Sequence, residues 1–306
     1  MAACTFQWEW GGRPIKVAYE TVGPTEQARG LKTHGWPVLL LPAFSTVSSR
    51  EEMRPLAEHL AARGCGCLLV DWPGFGGSTR GRLGYGPSLY HHFLGGFATA
   101  VVPKEAAVVA AGHAACYALV LARDRPGVWS QAVLLAPTWR GPLPTAMGEH
   151  PRAYAWVRRL VGTPVIGEAL YRLNTLRPVI NLMYRRHVYH EASRVTPAFV
   201  AKKQHMARWP GARFGSVAFV TGHLDPASDR AAFLALFDPP PAPILVLCGN
   251  ATPPRSKAEM ATLARQPGID LRWVAGSLGL HEEYAQTIAD PIVRFLDASP
   301  SARFCC

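Results

Sequence analysis

The 306-residue sequence predicts an α/β fold: a mostly parallel sheet carrying one large helical insertion. Two features predict the sheet. Short unbroken apolar runs alternate with segments of helical spacing, and such runs mark parallel strands buried on both faces. A third feature predicts the insertion, because the alternation stops between Ala136 and Ile244 and resumes afterwards. The length suffices for one large core plus that insertion.

The opening Phe6–Trp10, the Gly11-Gly12 pair and Pro14–Glu20 read as two strands joined by a turn. Val38–Leu41 is a buried strand. Glu51–Ala62 places Met53, Leu56, Ala57 and Leu60 at helical spacing. Strands follow at Cys67–Val70, Ala107–Ala111 and Ala132–Ala136, with helices at Leu89–Val102 and Ala115–Ala122 between them. After the insertion come a strand at Ile244–Leu247, a helix at Ser256–Arg265, a strand at Leu271–Val274 and a helix at Glu282–Leu296. The expected core is therefore 1–140 with 236–306, and the expected helical cap is 141–235.

No window holds 18 consecutive apolar residues, so no membrane-spanning helix is expected. The first ten residues lack a basic start followed by an apolar run, so no secretory signal is expected. The seven cysteines form no paired CxxC motifs, and Cys67, Cys116 and Cys248 lie in or beside apolar segments. Cys305 and Cys306 complete no lipidation motif and read as a frayed tail. This usage fits a reducing intracellular compartment, the cytoplasm or a chloroplast stroma. The formal charge of +11 is concentrated: residues 151–214 carry 12 Lys and Arg against two acids, Glu168 and Glu191.

Three motifs bear on function. Asp71-Trp-Pro-Gly-Phe-Gly-Gly-Ser78 follows a strand, and Ala111-Gly-His-Ala-Ala-Cys116 lies between a strand and a helix. Gly276-Ser-Leu-Gly-Leu-His281 lies between the last strand and the last helix. Together they resemble the α/β-hydrolase superfamily: its Asp-x-x-Gly-x-Gly-x-Ser turn, its Gly-x-Ser-x-Gly nucleophile elbow and its histidine loop. The resemblance implies the α/β-hydrolase fold, with an eight-stranded, mostly parallel sheet and an inserted helical cap. The cap text from Thr163 to Tyr189 resembles a branch found in cyanobacteria and plastid-bearing organisms.

The resemblance also implies roles that the sequence departs from. Ala114 stands at the serine position, and Thr252 in Gly249-Asn-Ala-Thr252 stands at the acid position. His281 is the remaining base. Phe44 and Ala115 are the expected oxyanion amides, and Ala43 and His113 the expected neighbours of the pocket. Alanine has no lone pair with which to attack, and threonine carries no charge to stabilise an imidazolium. The chain is thus expected to be a hydrolase-like pseudoenzyme that binds an apolar, lipid- or isoprenoid-like ligand or a partner. The alternative is an esterase, lipase, lyase or isomerase using His281 as general base. Cys116 as nucleophile and Asp225 as substitute acid are the lesser options, each with a plain structural reading beside it. Adjacent His91 and His92 lack the spacing of a zinc pair, and no cofactor or metal is expected.

The cap pattern interleaves Tyr154, Trp156, Leu160, Ile166, Leu170, Tyr171, Leu173, Ile180, Leu182, Met183 and Tyr184 with Arg158, Arg159, Arg172, Arg177, Arg185 and Arg186. Such side chains suit either a greasy pocket lining or an anionic membrane surface. Nucleic acid is not expected, since no recognised binding motif accompanies the charge.

Overall fold

The computed structural model describes residues 4–24 and 36–298. The terminal Cys305 and Cys306 lie outside the described residues. Eight strands form one sheet: β1 (Cys4–Trp10), β2 (Arg13–Val22), β3 (Pro37–Leu41), β4 (Gly66–Val70), β5 (Ala107–Ala111), β6 (Ala132–Leu135), β7 (Ile244–Gly249) and β8 (Ile269–Val274). Their order is β1-β2-β4-β3-β5-β6-β7-β8. The β1–β2 and β2–β4 pairs are antiparallel, and every other pair is parallel. This is the expected α/β-hydrolase architecture.

The strands form where the sequence demands burial. β5, β6 and β7 are enclosed along their whole length. Each fully buried valine or leucine in them contributes about 1.5–3 kcal/mol of transfer free energy. β1 instead alternates, and its Phe6 and Trp8 pack edge-on against Phe97 and Phe93. Gly11 and Gly12, with φ of 55° and 72°, make the β1–β2 turn, which requires left-handed backbone at both positions.

The flanking helices are α1 (Arg54–Ala61), α2 (Pro87–Ala100) and α3 (Ala114–Asp124). The insertion holds α4 (Pro142–Met147), α5 (Pro151–Val161), α6 (Val165–Asn174), α7 (Arg177–Met183), α8 (Pro197–Ala207), α9 (Ala212–Val220) and α10 (Arg230–Ala235). The chain closes with α11 (Pro254–Thr262), α12 (Leu280–Glu283) and α13 (Ala285–Ala298). α1 packs with α13, and α2 with α3.

Two helices differ from the sequence expectation. The expected Glu51 helix is a short 3-10 turn at Arg50–Glu52 followed by α1, with a proline in its first turn. The expected Glu282–Leu296 helix is broken at Tyr284 into α12 and α13. At the break the Glu283 carboxylate accepts the amides of His190 and Glu191, tying this corner to the insertion.

The insertion has two parts. Ile180, Tyr184, Tyr189, Val195, Val200 and Ala207 form a small separate core with Val47. Ala218, Phe219, Leu224, Phe233 and Phe237 join the main core instead. Tyr184–Val188 is a turn of π-helix between α7 and Tyr189.

Candidate active site at the turn after β5

The turn into α3 reverses at Gly112, whose φ is +55°. His113 already has right-handed helical angles, and Ala114 is the first residue of α3. The sharp, left-handed residue of this strand-to-helix turn is therefore Gly112, two positions before the expected apex. Ala114 is fully enclosed in the main core. A Cβ on Gly112 would lie 3.2 Å from Ala43 Cβ and 3.5 Å from Thr138 Oγ1.

The amide of Ala115, expected to face the oxyanion space, donates to Gly112 O at 3.2 Å and closes the first turn. The Cys116 amide likewise donates to His113 O. The Phe44 and His113 amides donate to no protein acceptor among the described residues.

Phe44 sits at the centre of an aromatic cluster. Its ring lies 4.8 Å from both Trp72 and Tyr90, 5.5 Å from Phe75 and 5.6 Å from Tyr117. Phe219 of α9 stacks on its far side at 6.4 Å. The polar tips are satisfied by backbone: Trp72 Nε1 donates to Pro42 O, Tyr90 to Pro73 O and Tyr117 to Leu224 O. Side chains thus fill the space between the loop after β3, α3 and α9. Ser48 Oγ donates to Ala43 O and pins that loop.

His113 is buried, and its ring is held at both nitrogens. Nδ1 lies 2.8 Å from Thr138 Oγ1, and Nε2 lies 3.1 Å from Asp225 Oδ1. Asp225 Oδ2 accepts the Gly141 amide at 3.0 Å. Asp225 thus serves His113, not His281. A histidine beside a predicted turn and an Asp before Pro were both visible in the sequence, but their pairing across the insertion carried no local signal.

His281 makes its polar approach elsewhere. Its Nε2 lies 3.4 Å from Glu52 Oε1, with both side chains buried. Its Nδ1 and Glu52 Oε1 have no hydrogen-bond partner among the described residues. α12 packs on α1, and this brings the ring beside the 3-10 turn that precedes α1. Glu52 is a residue that the sequence reading missed.

Thr252 follows β7 in the expected turn, with its amide on Gly249 O at 3.1 Å. Its buried hydroxyl has no hydrogen-bond partner among the described residues. Cys116 is sealed beneath α3, with Sγ 3.6 Å from Thr138 O. Burial, and then the nearby Asp225 charge, push its thiol well above the ordinary range. A thiol so placed is a poor nucleophile.

The histidine loop is stapled to the insertion. Ser277 Oγ donates to His187 O, and the Gly279 amide donates to Val188 O. Lys203 Nζ of α8 lies 2.8 Å from Glu282 Oε1. Burial alone would lower the Lys203 pKa. The Glu282 charge, with Tyr184 and Glu52 behind it, outweighs that and raises it. Among the described residues, no group of three metal-type side chains converges.

A cavity of about 570 Å³ opens beyond the C-terminal ends of β6 and β7. Thr138, Trp139, Arg140, Met147, Arg255 and Glu259 are among its lining residues. Thr138 links it to His113. Ala114, Phe44, Thr252 and His281 do not line it. The apolar cap residues do not line it either: Trp156, Ile166, Leu170, Leu173, Leu182 and Met183 are exposed on the outside of the insertion. Their expected place in a pocket is corrected by the packing of α6 and α7, which bury Tyr171 and Ile180 instead.

Comparison with known proteins agrees with this fold. A model of the "Alpha/beta hydrolase family" matches residues 34–290. No curated protein sequence matches. A bromoperoxidase from Bacillus anthracis superposes with a TM-score of 0.69 at 15% identity, covering 96% of this chain and 100% of that one. A thermophilic esterase from Thermogutta terrifontis gives 0.68 at 18% identity, covering 97% and 98%. A haloalkane dehalogenase from Agrobacterium tumefaciens C58 gives 0.64 at 17% identity, covering 96% of each chain. With the family model spanning most of its length, the chain belongs to the alpha/beta hydrolase family.

Proposed function

We propose that this chain is a non-hydrolytic member of its family, which binds an apolar small ligand beyond the C-terminal edge of the sheet. One observation carries the reading: the sharp residue of the strand-to-helix turn is Gly112, followed by His113 and the enclosed Ala114. A glycine at the apex offers no nucleophile. The packed rings around Phe44, the neutral Thr252 and the sealed Cys116 support the same conclusion.

The cavity beside Thr138 is the proposed ligand site. Open α/β sheets bind ligands outside the carboxyl ends of their strands. Its volume lies in the range of small-molecule sites, and Pro137, Trp139, Pro144 and Met147 supply apolar wall. Arg140, Arg255 and Glu259 supply polar groups for orientation.

A second reading keeps chemistry at His281. It is favoured by the Glu52 carboxylate, which stands beside His281 and would take the orienting role expected of an acid at Thr252. The enclosure of both groups weighs against it.

Native mass spectrometry of the purified protein, with fluorophosphonate labelling and an ester panel, tests the choice. Co-purified apolar ligand, lost in a Trp139→Ala or Met147→Glu variant, with no labelling and no hydrolysis, is expected. Turnover of any ester, abolished by His281→Ala, would overturn the proposal in favour of the second reading.

A further inference from the structure

The outer surface of α5, α6 and α7 does not match a solvated helical face. On α6 the exposed positions Ile166, Leu170 and Leu173 follow helical spacing, and Val165 stands beside them at 80% exposure. The opposite side is fixed inward: Tyr171 is buried, with its hydroxyl on Ala207 O at 3.0 Å and 3.1 Å from Ser216 Oγ. α6 therefore cannot roll its leucines into the core without breaking those bonds. Trp156 of α5 is 62% exposed, and Leu182 and Met183 of the following helix, α7, are exposed as well.

The charge on this surface has one sign. Arg152, Arg159, Arg177 and Arg186 are exposed and have no carboxylate partner among the described residues. The two acids of 151–214 are both engaged. Glu168 pairs with Arg172 at 2.9 Å and with Arg213, and Glu191 pairs with Arg194 at 2.9 Å and accepts from Tyr284. Positive charge therefore remains around an exposed apolar strip.

We infer that the α5–α7 surface docks on an anionic lipid bilayer, with the strip at the headgroup–acyl boundary and the arginines on lipid phosphates. Large aliphatics and a tryptophan on one side, with long arginine stems beside them, are what an interfacial helix presents to a membrane. A second copy of the chain fits less well, because face-to-face contact would bring two strongly positive surfaces together. No helix among the described residues is long and apolar enough to cross a membrane, so the contact is peripheral. The inference stands independently of the ligand proposal, since none of these strip residues lines the cavity.

Flotation of the full chain with phosphatidylglycerol-containing vesicles, against phosphatidylcholine alone, tests it at low and high salt. Flotation with the anionic vesicles only, weakened by salt, is expected, since exposed charges are screened within roughly 8 Å at physiological ionic strength. Ile166→Asp with Leu173→Asp should reduce partitioning by about tenfold or more. Arg152→Gln, Arg159→Gln and Arg186→Gln together should remove the preference for anionic lipid. All these side chains are solvent-facing, and an unchanged thermal melt establishes that the variants fold. Equal flotation with both lipids, or none with either, would overturn the inference. So would a lipid-free dimer dissolved by Leu173→Asp, which would assign the strip to a second copy.

Discussion

Lys203 Nζ on α8 lies 2.8 Å from Glu282 Oε1 on α12, and the lysine head is almost wholly enclosed. Tyr184 and Phe199 cover it, at 5.5 Å and 5.3 Å from Nζ to the ring centres. The pair joins the insertion to the loop that carries His281. Removing one partner of a buried pair strands the other charge, which costs about 3–5 kcal/mol. Either variant strands a charge, but Lys203 is 6% exposed and Glu282 16%, so Glu282→Ala, which strands the more enclosed charge, is expected to lower the urea midpoint more than Lys203→Met. The pH dependence has a definite sign. A raised lysine pKa contributes stability fully below the unfolded value of about 10.4, and loses it as pH rises through the folded value. The difference between wild type and Lys203→Met should thus be flat from about pH 6 to about pH 9 and shrink in stronger alkali.

Gly76 lies in the turn after β4, with φ of +50°. A Cβ there would fall 2.0 Å from Asp71 Oδ1. Asp71 cannot yield, because it is enclosed, accepts the Gly77 amide at 2.7 Å and pairs with Arg50. Gly76→Ala combines a left-handed backbone with a clash against a fixed carboxylate. The expected loss is roughly 2–4 kcal/mol, read as a fall in the thermal midpoint. Gly81→Ala, also at positive φ but with open space around its Cβ, should cost only about 1 kcal/mol.

The cysteines should divide by burial. Cys116 and Cys67 are enclosed, and burial raises both thiols well above the ordinary range. Alkylation at neutral pH is expected to leave both unmodified in the native protein and to reach them only after denaturation. Mass mapping checks this. Rapid labelling of Cys116 in the folded chain would show that the layer under α3 opens, and would reinstate it as a reactive group.

Much of the fold was legible because buried parallel strands announce themselves as apolar runs. Val38–Leu41, Ala107–Ala111 and Ile244–Leu247 all fall within strands. The site was less legible, for three physical reasons. Ala110-Ala111-Gly112-His113-Ala114-Ala115 is small on both sides of the turn, so the motif fits in two registers, and only the backbone angle at Gly112 separates them. His281 and Glu52 come from opposite ends of the chain, and no local pattern announces such a pair. In the insertion, helical spacing showed that apolar and basic residues alternate, but not which face is packed. Tyr171 and Ile180 decided that by turning inward.

The register of the turn can be tested by restoring a hydroxyl at each position. If Gly112 is the apex, Ala114→Ser places its hydroxyl in the enclosed first turn of α3, where neither a fluorophosphonate nor an ester can reach it. Adding Thr252→Asp would bury a carboxylate where the present hydroxyl has no partner among the described residues, which costs stability without completing a triad. Gly112→Ser places the hydroxyl at the reversal, but asks a β-carbon to sit at φ of +55° and 3.2 Å from Ala43 Cβ. That should cost about 1–2 kcal/mol. It still leaves no oriented base, since the His113 ring is held by Thr138 and Asp225 and His281 faces Glu52. All three variants are therefore expected to be inactive on p-nitrophenyl esters, with Gly112→Ser alone open to slow labelling. Labelling of Ala114→Ser with none of Gly112→Ser would return the apex to Ala114, and with it the register that the sequence first indicated.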